Sequence, residues 1–138
     1  MEFSRRDTLV LGLGAAVATV LPFRAFAAAD EAIAAFTGGA EMGTAGITLT
    51  APEIAENGNT VPISVSAAGA ASIIVLASGN PTPEVATFNF GELAGSQDAA
   101  TRMRLAGTQD VIAIAKMADG SFVKASSTVK VTIGGCGG

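Results

Sequence analysis

From Gly46 onward the chain sets short runs of β-branched and apolar residues between clusters of Gly, Asn, Pro and Asp. Short runs of this kind, bounded by turn formers, read as strands. The pattern predicts eight of them, at 47–50, 60–66, 72–78, 85–90, 101–106, 110–117, 121–125 and 128–133. Alternation fixes faces in two cases. Val61, Ile63 and Val65 share one face of their strand, as do Val129, Val131 and Ile133 of theirs, while Ser64, Lys130 and Thr132 point the other way. Asp119-Gly120 and Asn57-Gly58 are hairpin-turn signals. Asn80-Pro81-Thr82-Pro83 is a loop, because two prolines cannot serve a central strand. Regularly spaced short strands punctuated by turns predict an all-β sandwich. Phe36, Phe88, Phe90 and Phe122 are assigned to its core, and Met103 and Met117 to packing rather than metal binding.

Before Gly46 the texture differs. The segment 30–36, DEAIAAF, has acidic residues first, helix formers through its middle and Thr37-Gly38-Gly39 as a stop, which predicts a short helix. Residues 1–27 read as an export leader: the twin-arginine pair Arg5-Arg6, an uncharged and largely apolar stretch over 9–21, and the small-x-small signal Ala25-Phe26-Ala27. The apolar stretch falls short of the roughly 20 residues a spanning helix needs. Gly12-Leu13-Gly14 has no preceding strand, so it is not a nucleotide loop. The expected organisation is a twin-arginine signal peptide at 1–27, a sandwich domain at 28–133 and a glycine arm at 134–138, with the mature protein in the periplasm.

Composition narrows the function. The 138 residues carry a formal net charge of −4. Loss of the leader removes three basic and two acidic residues, leaving five basic against ten acidic. Such a balance opposes a nucleic-acid partner, whose phosphates call for a basic face. There is no His and a single Cys. That excludes a Cys-His pair and a Ser-His-Asp triad, and leaves zinc or iron–sulfur sites without their usual ligands. No cofactor and no metal are expected. Since twin-arginine export usually moves folded cargo, a co-folded partner is the better reason for such a leader.

The single Cys is Cys136, within Gly134-Gly135-Cys136-Gly137-Gly138. Flanked by glycines, it reads as a thiol presented to the outside on a flexible tether, Gly134, Gly135, Gly137 and Gly138, that moves from Gly134 onward and can enter a narrow cleft. At 3.3–3.6 Å per residue the stretch after Ile133 reaches about 15 Å. No cation or helix N-terminus lies near it in sequence to lower the thiol pKa, the closest basic residue being Lys130. A catalytic thiol needs a preorganised pocket; a carrier thiol needs access, and leaves the pocket to each enzyme it visits. The pattern fits the carrier. Arg102 and Arg104, two apart on a predicted strand, read as a solvated face rather than an oxyanion site, and Glu53, Glu56 and Glu84 as surface.

Two further readings compete. An exported structural sandwich would use Cys136 for an intermolecular disulfide. A ubiquitin-like sulfur carrier also ends in Gly-Gly, but its chemistry activates a terminal carboxylate with ATP and its fold needs a central helix. A prenyl anchor requires three residues after the Cys, where two are read.

With a twin-arginine leader, a β-rich domain, the helical start at 30–39 and the Gly-Gly-Cys-Gly-Gly motif, the chain resembles SoxY, the sulfur-carrier subunit of the Sox thiosulfate-oxidising system. The resemblance implies an immunoglobulin-like β-sandwich that pairs with a second small sandwich subunit, SoxZ. It further implies that Cys136 takes up thiosulfate-derived sulfur covalently through a haem-containing cytochrome pair. A sulfate-releasing hydrolase and a sulfur dehydrogenase would then act on the bound sulfur, so the chain itself is not an enzyme.

Overall fold

A computed structural model describes residues 23–135. The leader pair Arg5-Arg6 and the motif residues Cys136, Gly137 and Gly138 lie outside the described residues. Among the described residues one helix, α1 (Phe23–Thr37), precedes nine strands: β1 (Met42–Gly43), β2 (Thr48–Thr50), β3 (Ile54–Ala55), β4 (Val61–Ser66), β5 (Ala70–Ala77), β6 (Glu84–Asn89), β7 (Asp98–Met103), β8 (Gln109–Met117) and β9 (Phe122–Val131). The larger sheet runs β1-β9-β8-β5-β6, with β3 also paired to β9, and the smaller runs β2-β4-β7. All pairings are antiparallel except β1 and β3 on β9, which are parallel. The described residues form an all-β, immunoglobulin-like sandwich preceded by α1.

Two apolar layers hold it together. Between the sheets lie Val61, Ile63 and Val65 of β4, Ile73 and Val75 of β5, Val111, Ala113 and Ala115 of β8, and Val129 of β9, with Met103 and Leu105. On the far side of the larger sheet, Ile74, Leu76 and Ile114 meet Ala32 of α1, with half-buried Ile33, Phe36, Ile112 and Phe122 around them. β5 is therefore covered on both faces, which is why Ile73-Ile74-Val75-Leu76 runs apolar without alternation. Phe36 meets Phe122 edge to face, with ring centroids 5.8 Å apart, a geometry that favours aromatic pairs by about 0.5–1.5 kcal/mol beyond the area buried.

The helix starts seven residues before the predicted 30, because Arg24 to Ala29 is alanine-rich and free of Gly and Pro. The expected cleavage point after Ala27 thus falls inside α1. Among the helix residues whose burial is described, the buried or half-buried ones, Ala28, Ala29, Ala32, Ile33, Phe36 and Thr37, all follow that point, so a helix cut there keeps these contacts.

Several strand expectations change. The predicted pair 121–125 and 128–133 is one strand, β9, because Ser126, Ser127 and Thr128 stay in register opposite Ile112, Val111 and Asp110. The Thr128 hydroxyl donates to the Asp110 carboxylate at 2.6 Å. Ile133 lies beyond the end of β9 and is 68 % exposed, so it does not continue the face of Val129. The strand predicted at 101–106 lies at Asp98–Met103. None of Phe36, Phe88, Phe90 and Phe122 is fully buried; they flank cores made of Val, Ile, Leu and Ala. Met103 is buried and Met117 partly so, both in packing roles.

Asp119-Gly120 forms the expected tight turn between β8 and β9. Gly120 takes a φ of +87°, open to glycine at little cost, and the Asp119 carboxylate accepts from the Ser121 amide at 2.9 Å and hydroxyl at 2.6 Å. Those bonds, the hydroxyl's first, hold the Asp119 carboxyl below the usual carboxylate range. Because Asp119 ionises more readily folded than unfolded, its support of the turn is complete above the ordinary carboxylate pKa. That support fades as pH falls through the lowered value. Ser121→Ala is expected to return the Asp119 pKa toward its ordinary value in a carboxyl-carbon NMR titration; an unchanged midpoint would assign the shift elsewhere.

Candidate functional site: the root of the glycine arm

Past Val131 the main chain enters a slot between two loops. The Thr132 amide donates to the Ala55 carbonyl at 3.1 Å, and its hydroxyl to the Glu56 carbonyl at 3.1 Å. One residue on, the Ile133 carbonyl accepts from the Gly58 amide at 2.7 Å. The Gly58 carbonyl in turn accepts from the Leu105 amide at 2.8 Å, and the Leu105 carbonyl accepts from the Gly135 amide at 2.8 Å. Three stretches distant in sequence are thus laced together by main-chain bonds alone.

Such a lacing leaves no room for side chains. A Cβ on Gly58 would run into the carbonyl oxygens of Leu105 and Ile133 and the nitrogen of Gly135. At Gly134 it would strike the Ala106 carbonyl oxygen, and at Gly135 it would sit 2.9 Å from the Gly58 oxygen. Every one of these neighbours is backbone, which cannot swing aside. The expectation that the arm moves freely from Gly134 onward therefore changes: Gly134 and Gly135 are held, and they are glycines because the slot admits nothing larger. Asn57-Gly58 likewise serves no hairpin. β3 and β4, which it joins, lie in different sheets, and Asn57 closes only a local turn through its side chain to the Asn59 amide at 3.0 Å.

A buried polar pair supports the slot from below. Asn80 and Gln109 are 4 % and 8 % exposed. The Asn80 amide nitrogen donates to the Arg104 carbonyl at 2.8 Å, while its oxygen accepts from the Ala106 amide at 3.0 Å and from the Gln109 side chain at 2.8 Å. Gln109 also donates to the Gly107 carbonyl at 3.1 Å and accepts from the Gly79 amide at 2.8 Å. Buried amides are costly unless satisfied, and the side-chain nitrogen and oxygen of both residues have partners. This is also why the strand predicted through Ala106 stops at Met103: the peptide groups of 104–107 bond to Asn80, Gln109 and the arm instead of to a neighbouring strand.

Of the remaining candidates, Glu56 and Arg104 take part through their main-chain carbonyls, which accept from Thr132 and Asn80. Arg102 is exposed on β7, with one guanidinium nitrogen 3.4 Å from the Thr60 hydroxyl, and Arg104 is exposed beyond the strand's end. Lys130, Glu53, Glu56 and Glu84 are exposed. Among the described residues no group of three or more His, Cys, Asp or Glu side chains is placed to hold a metal, and no helix is long and apolar enough to cross a membrane. Chemically, the arrangement delivers a main chain to a fixed point. Cys136 follows Gly135 directly in sequence. The sequence marked Cys136 but not Gly58, Leu105, Asn80 or Gln109; their roles arise from contacts across 24 to 75 residues of chain, and only the oddity of an Asn between Gly79 and Pro81 hinted at them.

Comparison with known proteins follows the same outline. The family model described as sulfur oxidation protein SoxY matches residues 33–136, from within α1 to the cysteine. Among solved structures, the sulfur carrier protein SoxY from Chlorobium limicola f thiosulfatophilum superposes with a TM-score of 0.66 at 34 % identity, covering 78 % of this chain and 98 % of that one. A superoxide reductase (neelaredoxin) from Ignicoccus hospitalis gives a TM-score of 0.56 at 17 % identity, over 64 % of this chain and 81 % of that one. A putative superoxide reductase from Thermotoga maritima gives 0.51 at 18 % identity, over 70 % and 89 %. At that identity the two reductases share the sandwich and nothing further. No curated protein matches the chain.

Proposed function

The chain belongs to the SoxY family of sulfur oxidation proteins, and from that premise we propose that it carries thiosulfate-derived sulfur covalently on Cys136 and presents it to partner enzymes. The observation that carries this reading is that the family match runs to residue 136, the only cysteine in the chain. In this reading a sulfur–sulfur bond forms between the Cys136 Sγ and the outer sulfur of thiosulfate. The thiol proton goes to water, and two electrons leave to the haems of a partner cytochrome. Hydrolysis by a second partner then removes the oxidised sulfur as sulfate and leaves a persulfide on Cys136. A sulfur dehydrogenase oxidises that remaining sulfur further.

The division of labour follows from the chemistry available. With no imidazole in the chain, the residues here supply attachment, exposure and a fixed exit point, while redox centres and general bases come from the partners. Holding the intermediate covalently keeps it at high effective concentration beside any docked enzyme. A SoxZ-like sandwich subunit completes the carrier as a heterodimer. Export through the Arg5-Arg6 leader to the periplasm would place it with those partners. Incubation with thiosulfate and the loading cytochrome is expected to add mass to the protein, with the adduct confined to the peptide containing Cys136. An adduct elsewhere, or none, would refute the assignment.

A further inference from the structure

Resting on the carrier reading, we propose that Asn80 is a positioning residue for the arm: from inside the domain it sets the point at which Cys136 leaves the surface. The argument starts from what Asn80 grips. It bonds the carbonyl of Arg104 and the amide of Ala106, the peptide groups on either side of Leu105. Leu105 is the residue whose own amide holds Gly58 and whose carbonyl holds Gly135. Asn80 therefore fixes the orientation of Leu105, the residue that bonds the Gly135 amide.

Asn80 is in turn well mounted. It follows β5, the strand buried on both faces. The Ala77 amide bonds to the Pro83 carbonyl at 2.8 Å and the Ser78 amide to the Asp110 carbonyl at 3.0 Å, closing the loop at its base. Gln109, at the start of β8, fills the last acceptor position on the Asn80 oxygen. A continuous path of bonds thus runs from the central strands through Asn80 and Leu105 to Gly135, one residue before the thiol. A thiol that visits several active sites gains from a defined starting point, because every ångström of uncertainty at the root widens the volume searched before the sulfur meets a reacting group.

Asn80→Ala and, independently, Gly58→Ala test this on the whole protein. Gly58→Ala is expected to dislodge the arm root by direct collision with the main chain of Leu105, Ile133 and Gly135. Amide hydrogen exchange in the unchanged protein is expected to show Gly58, Leu105 and Gly135 protected. In each variant these three should exchange about tenfold faster or more, with Ile73 and Ile114 in the central strands unchanged. Alkylation of Cys136 by iodoacetamide should keep its rate, since the thiol's own chemistry is untouched, while loading by the thiosulfate-oxidising cytochrome should fall about tenfold or more. An unprotected Gly135 in the unchanged protein overturns the proposal, as does an Asn80→Ala protein that loads at the normal rate. If Asn80→Ala does not fold, Gly58→Ala decides by the same measurements, normal loading overturning the proposal. Failure of the unchanged protein to load at all would instead defeat the carrier reading, and the exchange rates would still judge the role of Asn80.

Discussion

Cys136→Ser is expected to abolish thiosulfate-dependent electron delivery to the loading cytochrome, and with it the mass adduct. The loss should be complete rather than graded, because the chain contains no second cysteine to take over. A hydroxyl in place of the thiol cannot form the sulfur–sulfur bond, and at neutral pH serine offers almost none of the anionic nucleophile that a thiol supplies. The fold should be indifferent to the change, since the sandwich core closes at Val129 and half-buried Val131. An unaltered thermal transition beside zero turnover would therefore separate chemistry from folding. The contrasting idea, a structural disulfide, forecasts the reverse: loss of a covalent dimer on non-reducing electrophoresis with thiosulfate oxidation intact. Turnover surviving in Cys136→Ser would rule out the carrier role.

Leu105→Ala is expected to cost about 2–5 kcal/mol of folding stability, the range for removing a buried Leu side chain and leaving part of the space unfilled. Leu105 is fully buried in the layer between the sheets. A small domain has only about 5–15 kcal/mol in total, so the variant should show a large drop in the denaturant midpoint. The truncation spares the main-chain bonds that Leu105 makes to Gly58 and Gly135, yet removes the anchor that keeps that peptide seated. Protection of the Gly135 amide should then fall further than that of Ile73. A stability within about 0.5 kcal/mol of the original, roughly what surface substitutions produce, would show that the side chain is not the anchor.

The sandwich was legible because period-two alternation is a local signal. Val61, Ile63 and Val65 face the core as their spacing implies, and Asp119-Gly120 carries its turn chemistry in two letters. What was not legible depended on partners distant in sequence. Ser126-Ser127 looks like a break between strands until β8 is alongside to occupy its backbone groups. Residues 104–106 look like the tail of a strand until Asn80 and the arm claim the same groups. The Asp98 to Ala100 stretch has poor strand propensity and is held in β7 by its register with β4. At the site, the motif glycines were conspicuous but their purpose was misjudged. Glycine permits looseness and also permits close approach, and only the carbonyls of Gly58, Leu105 and Ala106 reveal which applies at Gly134 and Gly135. The four Phe residues outside the leader misled by size: between closely stacked sheets it is Val, Ile and Ala that fit, and the rings are left at the margins.

The last strand bears on what happens when a visiting enzyme lets go. β9 is bonded along one edge to β8 through eight consecutive register pairs, and at the two ends of its other edge to β1 and β3. A tug transmitted along the strand axis loads those bonds side by side, in shear, whereas a sideways pull would open them one after another. In the proposed carrier role, the handle that would offer the cargo is thus fastened in its most resistant direction, and departure of a docked enzyme would part the two proteins at their mutual surface before it unravelled the carrier.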